Sequence, residues 1–234
     1  MAMTSIRTVV ISIRQDSAYR RNILDRISCV LGSEQLLIEI NSENDIEEKL
    51  RDLGSRAILI NFDNGVIIPK QFLELFDGNA YNFHSAPPEY PGRDVHHFAV
   101  YDGAQVFGAT LHIMSEKVDA GPILRVRRCR VAPDDSPQAV AKKGLESAYE
   151  IFLETFEEIL KGGSLGELQS ENWEKKPKGT RNKMLQMCRL TSELTSEEVS
   201  RRIKSFDHPE YTNLFVELHG FKFFYMGEKN ERAE

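Results

Sequence analysis

Three polar side chains stand where folding alone would not require them. Asn82 and His84 sit two residues apart in the strand-like run 80–84, and Asp119 lies in a loop two residues before Gly121. On a strand, positions i and i+2 project to one face, so a carboxamide and an imidazole would converge on one point. With a carboxylate arriving from a neighbouring strand end, the set could run acyl transfer. The amide would donate to a developing oxyanion, the imidazole would handle a proton, and the carboxylate would orient and charge it. By spacing alone, Asn-x-His reads equally as a satisfied hydrogen-bonding pair, and Asp near Gly as a turn residue.

The elements that must position these groups follow from patterning. The β-branched run 8–13, then 36–40 and 57–61, read as strands, with helical stretches at 19–31 and 45–53 between them. Strand and helix alternating in this way argue for a mostly parallel sheet covered by helices, doubly wound by the right-handed crossover rule. A short helix is expected over 69–76, the turn Asp77-Gly78-Asn79 precedes the strand 80–84, and Pro87, Pro88 and Pro91 make 85–92 a rigid loop at that strand's carboxyl end. Open α/β sheets bind ligands at such ends. Further strands are expected at 106–112 and 123–131, around the loop 115–121. Ser136-Pro137 should open a long helix whose apolar stripe (Val140, Ala148, Ile151, Phe152, Phe156, Ile159) ends at Gly162-Gly163.

The sequence reads as a catalytic domain at 1–163, then an arm and small α+β subdomain at 164–234. The arm carries Trp173 and a basic stretch (Lys175, Lys176, Lys178, Arg181, Lys183) without clear periodicity before Met184. Thr195 with Glu198 forms a capping box for a short helix, and 215–218 and 221–225 form a hairpin around His219-Gly220. The exposed aromatics of that hairpin suggest a homodimer contact. Residues 228–234 read as disordered.

The composition is that of an ordinary globular protein of 234 residues. Thirty Lys+Arg stand against 36 Asp+Glu, a formal charge of −6, so there is no global basic field for a nucleic-acid backbone. No apolar run is long enough for a membrane span, and the start lacks a signal-peptide apolar region, so a cytoplasmic location is expected. Cys29, Cys129 and Cys188 match neither a zinc spacing nor a disulfide framework and read as buried or semi-buried thiols.

Four ordered segments carry a resemblance. They are Asn82-Phe83-His84 with the Pro-Pro-Glu-Tyr-Pro-Gly loop ending at Gly92, then Tyr101-Asp102-Gly103, then Gly108-Ala109-Thr110-Leu111-His112, then Asp119-Ala120-Gly121-Pro122-Ile123. Together they resemble the folate-dependent formyltransferases. The resemblance implies a Rossmann-like catalytic domain over about residues 6–161, 10-formyltetrahydrofolate as formyl donor, a primary amine as acceptor and no metal. It further implies that Asn82 hydrogen-bonds the formyl oxygen. His84 would assist proton transfer and stabilise the tetrahedral adduct, and Asp119 would orient His84 and help deprotonate the amine. The pterin cleft would be formed by Phe62, Asn64, Gly65 and Val66 with the Asp119 loop, largely through backbone groups. Outside that pattern, His96, His97 and Thr110 are the candidates for acceptor contact, the histidine pair reading alternatively as solvated or partly packed and Thr110 as structural, and His112 is expected to support the cleft through a hydrogen bond. One departure stands out: the family has Pro directly after the histidine, whereas this chain has Ser85-Ala86 before Pro87-Pro88.

The acceptor is narrowed by further resemblances. Glycinamide ribonucleotide formyltransferases resemble one another in a glycine-rich first βα turn, which cradles phosphate; here residues 13–19 contain no glycine. Methionyl-tRNA formyltransferases carry a basic C-terminal barrel for which the tail here is short. The segment Arg201 to Phe206, with Tyr211 and the phenylalanine-rich hairpin, is similar to the C-terminal subdomain of sugar N-formyltransferases, which implies a nucleotide-linked amino sugar. Methionyl-tRNA or another small amine is the alternative acceptor. Two readings of other classes remain: a metal hydrolase using His84, His96, His97, His112 and Asp119, whose spacings match no local zinc signature, and a non-catalytic folate- or ligand-binding module.

Overall fold

The structure is a computed structural model and describes residues 6–54, 56–162, 165–166, 170–174, 178–208 and 210–227. Its main sheet has six strands: β1 (Thr8–Ile13), β2 (Leu36–Ile40), β3 (Ala57–Phe62), β4 (Ala80–His84), β5 (Val106–Ile113) and β6 (Ile123–Arg130), in the order β2-β1-β3-β4-β5-β6. The first four run parallel; β5 and β6 are antiparallel additions. Parallel strands covered on both faces must be apolar along their length rather than alternating, and β1 and β3 are buried over nearly every residue.

Helices α1 (Arg20–Val30), α2 (Asn44–Leu50) and α3 (Lys70–Leu73, continued by a 3-10 turn at Glu74–Phe76) make the parallel crossovers, and the single long helix α5 (Pro137–Leu160) lies across β4, β5 and β6. The start of α5 follows from its sequence: Pro137 stands in the first turn, where no intrahelical N–H is needed, and the Ala139 N–H donates to the Ser136 hydroxyl at 3.2 Å. Its stripe seats Ala148, Ile151, Phe152, Phe156 and Ile159 in the main core, each side chain worth about 1.5–3 kcal/mol for the larger residues on full burial. Gly144 is the point of closest approach. A Cβ there would stand 2.3 Å from the Ser85 carbonyl oxygen and 2.9 Å from the Phe107 ring.

Two helices lie where the sequence reading had none. Helix α4 (Val95–Asp102) follows the proline loop, and α6 (Arg181–Cys188) begins inside the arm, capped by the Thr180 hydroxyl accepting from the Lys183 N–H at 3.1 Å. A short strand β7 (Arg189–Leu190), helix α7 (Ser196–Phe206) and strands β8 (Phe215–Leu218) and β9 (Phe221–Phe224) complete the chain, the three strands forming a second sheet. Thr195 caps α7 by accepting from the Glu198 N–H at 3.2 Å, but the Glu198 carboxylate turns to Tyr101 and Arg202 instead of closing the box. Phe98 of α4 shares a core with Met184, Cys188, Leu190, Phe206 and Leu214, so the C-terminal elements are seated on a helix of the main-sheet unit.

Cys29 is exposed, contrary to expectation, because it falls on the outer face of α1, where Ile23 and Ile27 take the buried positions; Cys129 is half-buried and Cys188 buried. Among the described residues no helix is long and apolar enough to cross a membrane. The expected disorder of 228–234 lies outside the described residues.

Candidate active site

The carboxyl ends of β1, β3 and β4 open onto a cavity of about 580 Å³, closed on one side by residues 114–119 and on another by α4 and the arm. The chain leaves β1 toward one side of the sheet for β2 and returns to the other side for β3, so the cavity sits at a topological switch point.

Asn82, His84 and Asp119 meet at its head. Asp119 is 4% exposed, and its Oδ2 accepts the Gly92 backbone N–H at 2.7 Å and lies 3.7 Å from His84 Nδ1. Its Oδ1 accepts from Asn82 Nδ2 at 3.3 Å and stands 3.3 Å from His112 Nε2. Burial opposes the charged form of Asp119, but the neighbouring His84 and the Gly92 N–H act against it, and the carboxyl is held well below the usual carboxylate range. The Gly92 N–H reaches this carboxylate because its backbone runs against Gly179 of the arm: φ is 104°, and a Cβ there would be 2.2 Å from the Gly179 oxygen.

His84 Nε2–H donates to the Tyr90 carbonyl at 3.0 Å, which leaves Nδ1 as the accepting nitrogen, on the side of Asp119. The proline loop thus sets the tautomer. The Ser85-Ala86 departure keeps the loop anchored through Thr110, whose hydroxyl donates to the Ala86 carbonyl at 2.8 Å.

Sequence reasoning underrated two residues. His112, a register partner of Asn82 on β5, donates Nδ1–H to its neighbour's carbonyl, Ile113 O, at 2.9 Å and offers Nε2 to Asn82 at 3.0 Å, so it belongs to the constellation. Asn61 on β3 pairs with Asn82 in register and donates to its Oδ1 at 2.8 Å. Both signals are strand registers, which spacing within one segment does not show. Trp173 of the arm packs edge-on to His112, at 5.0 Å between ring centroids, and its indole N–H donates to Gly121 O at 2.7 Å. The arm covers the imidazoles.

Other expected contacts fall differently. Asn64, Gly65 and Val66 line the cavity, but the Phe62 side chain does not: it is fully buried against Phe83 and Phe152, because its strand position points to the core. His97 is also a core residue, donating Nδ1–H to Ser205 O at 2.6 Å and stacking on Phe206, and Thr110 is fully buried with its hydroxyl spent on Ala86. His96 alone of these three lines the cavity, and burial pushes its pKa down to about 3, leaving it neutral. Of the basic stretch, Lys178 and Arg181 reach the cavity wall, Lys178 donating to Val118 O; residues 175–177 lie outside the described residues. Among the described residues, no group of three or more His, Cys, Asp or Glu could hold a metal ion.

The remaining walls are partly apolar. Val66, Ile68 and Met114 supply apolar surface, and the buried Oδ1 of Asn61 has no hydrogen-bond partner and can accept an N–H from the cavity. Three aspartates on the lining, Asp63, Asp94 and Asp119, have left-handed backbone (φ 47°, 57° and 43°), a conformation that Asp tolerates better than most residues and that clusters at functional sites. Asp63 faces Arg14 at 3.5 Å, and burial pushes its carboxyl up.

Comparison with known proteins agrees with this geometry. A methionyl-tRNA formyltransferase of Heliobacterium modesticaldum is 35% identical over 115 residues, which is 48% of this chain and 36% of that protein; the chain thus matches only about a third of that relative's length. A sugar N-formyltransferase structure from Shewanella superposes with a TM-score of 0.72 at 16% identity, covering 94% of this chain and 96% of the other. An N-formyltransferase structure from Helicobacter canadensis, in complex with folinic acid and dTDP-3-aminofucose, gives 0.63 at 17% identity, covering 93% and 86%. The formyl transferase family model matches residues 8–156, which run from the first strand through α5 and enclose Asn82, His84, His112 and Asp119, so the chain belongs to the formyl transferase family.

Proposed function

We propose that this protein transfers a formyl group from 10-formyltetrahydrofolate to the primary amine of a nucleotide-linked amino sugar. The observation that carries the reading is the convergence of Asn82, His84 and Asp119 at the head of a switch-point cavity large enough for a folded-over donor and an acceptor amine. The donor's ring system would lie against Asn64, Gly65, Val66 and the Asp119 loop. The amine attacks the formyl carbon only as the neutral base. His84 Nδ1 takes its proton, and the Asp119 carboxylate stabilises the imidazolium that forms. As the carbonyl oxygen gains charge, the Asn82 N–H now pointing to Asp119 at 3.3 Å, the longest of its hydrogen bonds, is the donor free to turn to it. The proton held on His84 then goes to the departing folate nitrogen, which balances the transfer.

The acceptor class rests on the share of this chain that the sugar N-formyltransferase structures cover, 94% for the Shewanella protein, and on the nucleotide sugar named for the Helicobacter protein. The 35% identity to a methionyl-tRNA formyltransferase favours a second reading in which the acceptor is an aminoacyl-tRNA. Calorimetric titration with 5-formyltetrahydrofolate, followed by mass spectrometry of nucleotide-linked amino sugars and of methionyl-tRNA after incubation with the donor, tests both. A single saturable folate site with formylation of a sugar nucleotide is expected. Formylation of the tRNA alone would replace the acceptor, and folate binding without any product would leave a non-catalytic binding module.

A further inference from the structure

We propose that Asn61 is a positioning residue for the transfer, one that fixes which end of the Asn82 carboxamide faces the reacting carbonyl; the role in catalysis rests on the function proposed above. Ser12, Asn61, Asn82 and His112 are consecutive register partners across β1, β3, β4 and β5, a row of four polar residues running across the sheet. Asn61 is 5% exposed, so water does not compete for its hydrogen bonds.

The polarity of the row is decided by three atoms that can only accept: the Asn64 carbonyl oxygen, the Ile113 carbonyl oxygen and the ionised Asp119 carboxylate. Asn61 Nδ2 lies 3.2 Å from Asn64 O, so that end of the amide is the NH2; its second hydrogen goes to Asn82 Oδ1 at 2.8 Å. Asn82 must then present its own NH2 to Asp119 Oδ1 and His112 Nε2. His112, committed through Nδ1–H to Ile113 O, returns a lone pair at Nε2. Every amide and ring in the row is therefore read in one orientation. Were Asn82 to turn over, an oxygen lone pair would face both the carboxylate and the developing oxyanion. Asn61 blocks that turn without touching the reacting atoms.

Asn61→Asp separates this role from packing. The variant keeps the shape and an acceptor oxygen toward the cavity, but it loses the donor, so Asn82 should turn its NH2 toward the introduced carboxylate. Assayed at about pH 9, near the upper range that a buried carboxyl reaches, so that the introduced group is ionised, it should lose roughly 10²-fold in kcat, the scale of losing one oxyanion donor, with KM for the folate donor nearly unchanged. ¹⁵N NMR of the histidine side chains, on enzyme without substrates, should show His112 passing from the Nδ1–H tautomer to one protonated at Nε2. Asn61→Ala, checked for fold by circular dichroism, provides a second variant and should give a smaller kcat loss with a mixture of His112 tautomers. Folded variants with near-wild-type kcat, or an unchanged His112 tautomer, would overturn the relay. A wild-type protein without formyl transfer would refute the proposed function, while the NMR arm would still decide the orientation of Asn82.

Discussion

Replacing Asp119 by Asn removes one charge and almost no volume, so its effect isolates electrostatics. In the wild-type site the Asp119 Oδ2 stands 3.7 Å from His84 Nδ1, with both side chains nearly buried. At an effective dielectric of about 20, a carboxylate and an imidazolium at this range attract by about 4 kcal/mol. In the proposed reaction that attraction exists only once His84 has accepted the proton of the amine, so its loss would fall on the transition state. An amide oxygen at the same place keeps the Gly92 N–H bond and part of the dipolar stabilisation, so the net loss is about 2–4 kcal/mol, or roughly 30- to 1,000-fold in kcat. The new NH2 would also face the Asn82 NH2, two donors without an acceptor. Single-turnover formylation, read by mass spectrometry with saturating donor and acceptor, measures the step directly. A folded Asp119→Asn variant retaining more than about a third of wild-type kcat, against a coupling of this size, would refute the claim that the carboxylate stabilises the charged histidine.

Four further outcomes are expected. His84→Gln should abolish turnover by roughly 10²–10⁴-fold while 5-formyltetrahydrofolate still binds, which calorimetry checks; loss of binding in parallel would make His84 a ligand residue instead. Stability should fall on acidification below about pH 6.5, the ordinary histidine value. Burial holds the pKa of His96 near 3 and also lowers that of His97, so the unfolded chain binds more protons across that window; urea titrations should show His96→Gln with a shallower acid slope. Gly144→Ala should destabilise by about 1–3 kcal/mol through overpacking, despite the better helix propensity of alanine, because its Cβ would stand 2.3 Å from Ser85 O; thermal melts give the sign, and kcat should fall with it since Ser85 adjoins His84. In sedimentation, the wild type should form a dimer that Phe223→Ser dissociates, because β9 is an edge strand carrying Phe221, Phe223 and Phe224 in the open, and a second copy can pair along it.

The elements that hold the catalytic groups were legible because each carries a local cause. The strands at 8–13, 36–40 and 57–61 are β-branched or apolar runs, that at 80–84 is announced by the turn Asp77-Gly78-Asn79, and α5 has its cap, its proline and its stripe in sequence order. Helix α4 was not legible: its eight residues, Val-His-His-Phe-Ala-Val-Tyr-Asp, are apolar on most sides, so no 3.6-residue stripe emerges, and it starts from Asp94 in a left-handed conformation. Helix α6 was hidden by its charges, and β7 has two residues whose pairing partner, β8, lies more than twenty positions away. The histidine pair shows the same limit. His96 and His97 differ by one position, yet one lines the cavity and the other packs on Phe206, a distinction made by α7 and not by the motif.

Asn82, His84 and Asp119 were recognisable as types in order, but what they can do depends on atoms that no local pattern names. Asn82 is oriented from β3, His84 by the Tyr90 carbonyl of the proline loop, and Asp119 by a Gly92 N–H whose backbone conformation requires the arm at Gly179. Each of these partners is a backbone group or a cross-strand neighbour. A one-residue slip of β4 against β3 would send Asn82 and His84 to the opposite face together. The site is therefore as specific as the strand register that carries it, and the register is held by the apolar residues alternating with the polar ones: Phe83 between Asn82 and His84, and Leu111 beside His112, both fully buried in the main core. Thinning that core, as in Phe83→Ala, should cost about 3–5 kcal/mol and lower kcat even at temperatures where the variant stays folded, because the same side chain that stabilises the sheet keeps Asn82 and His84 on their face.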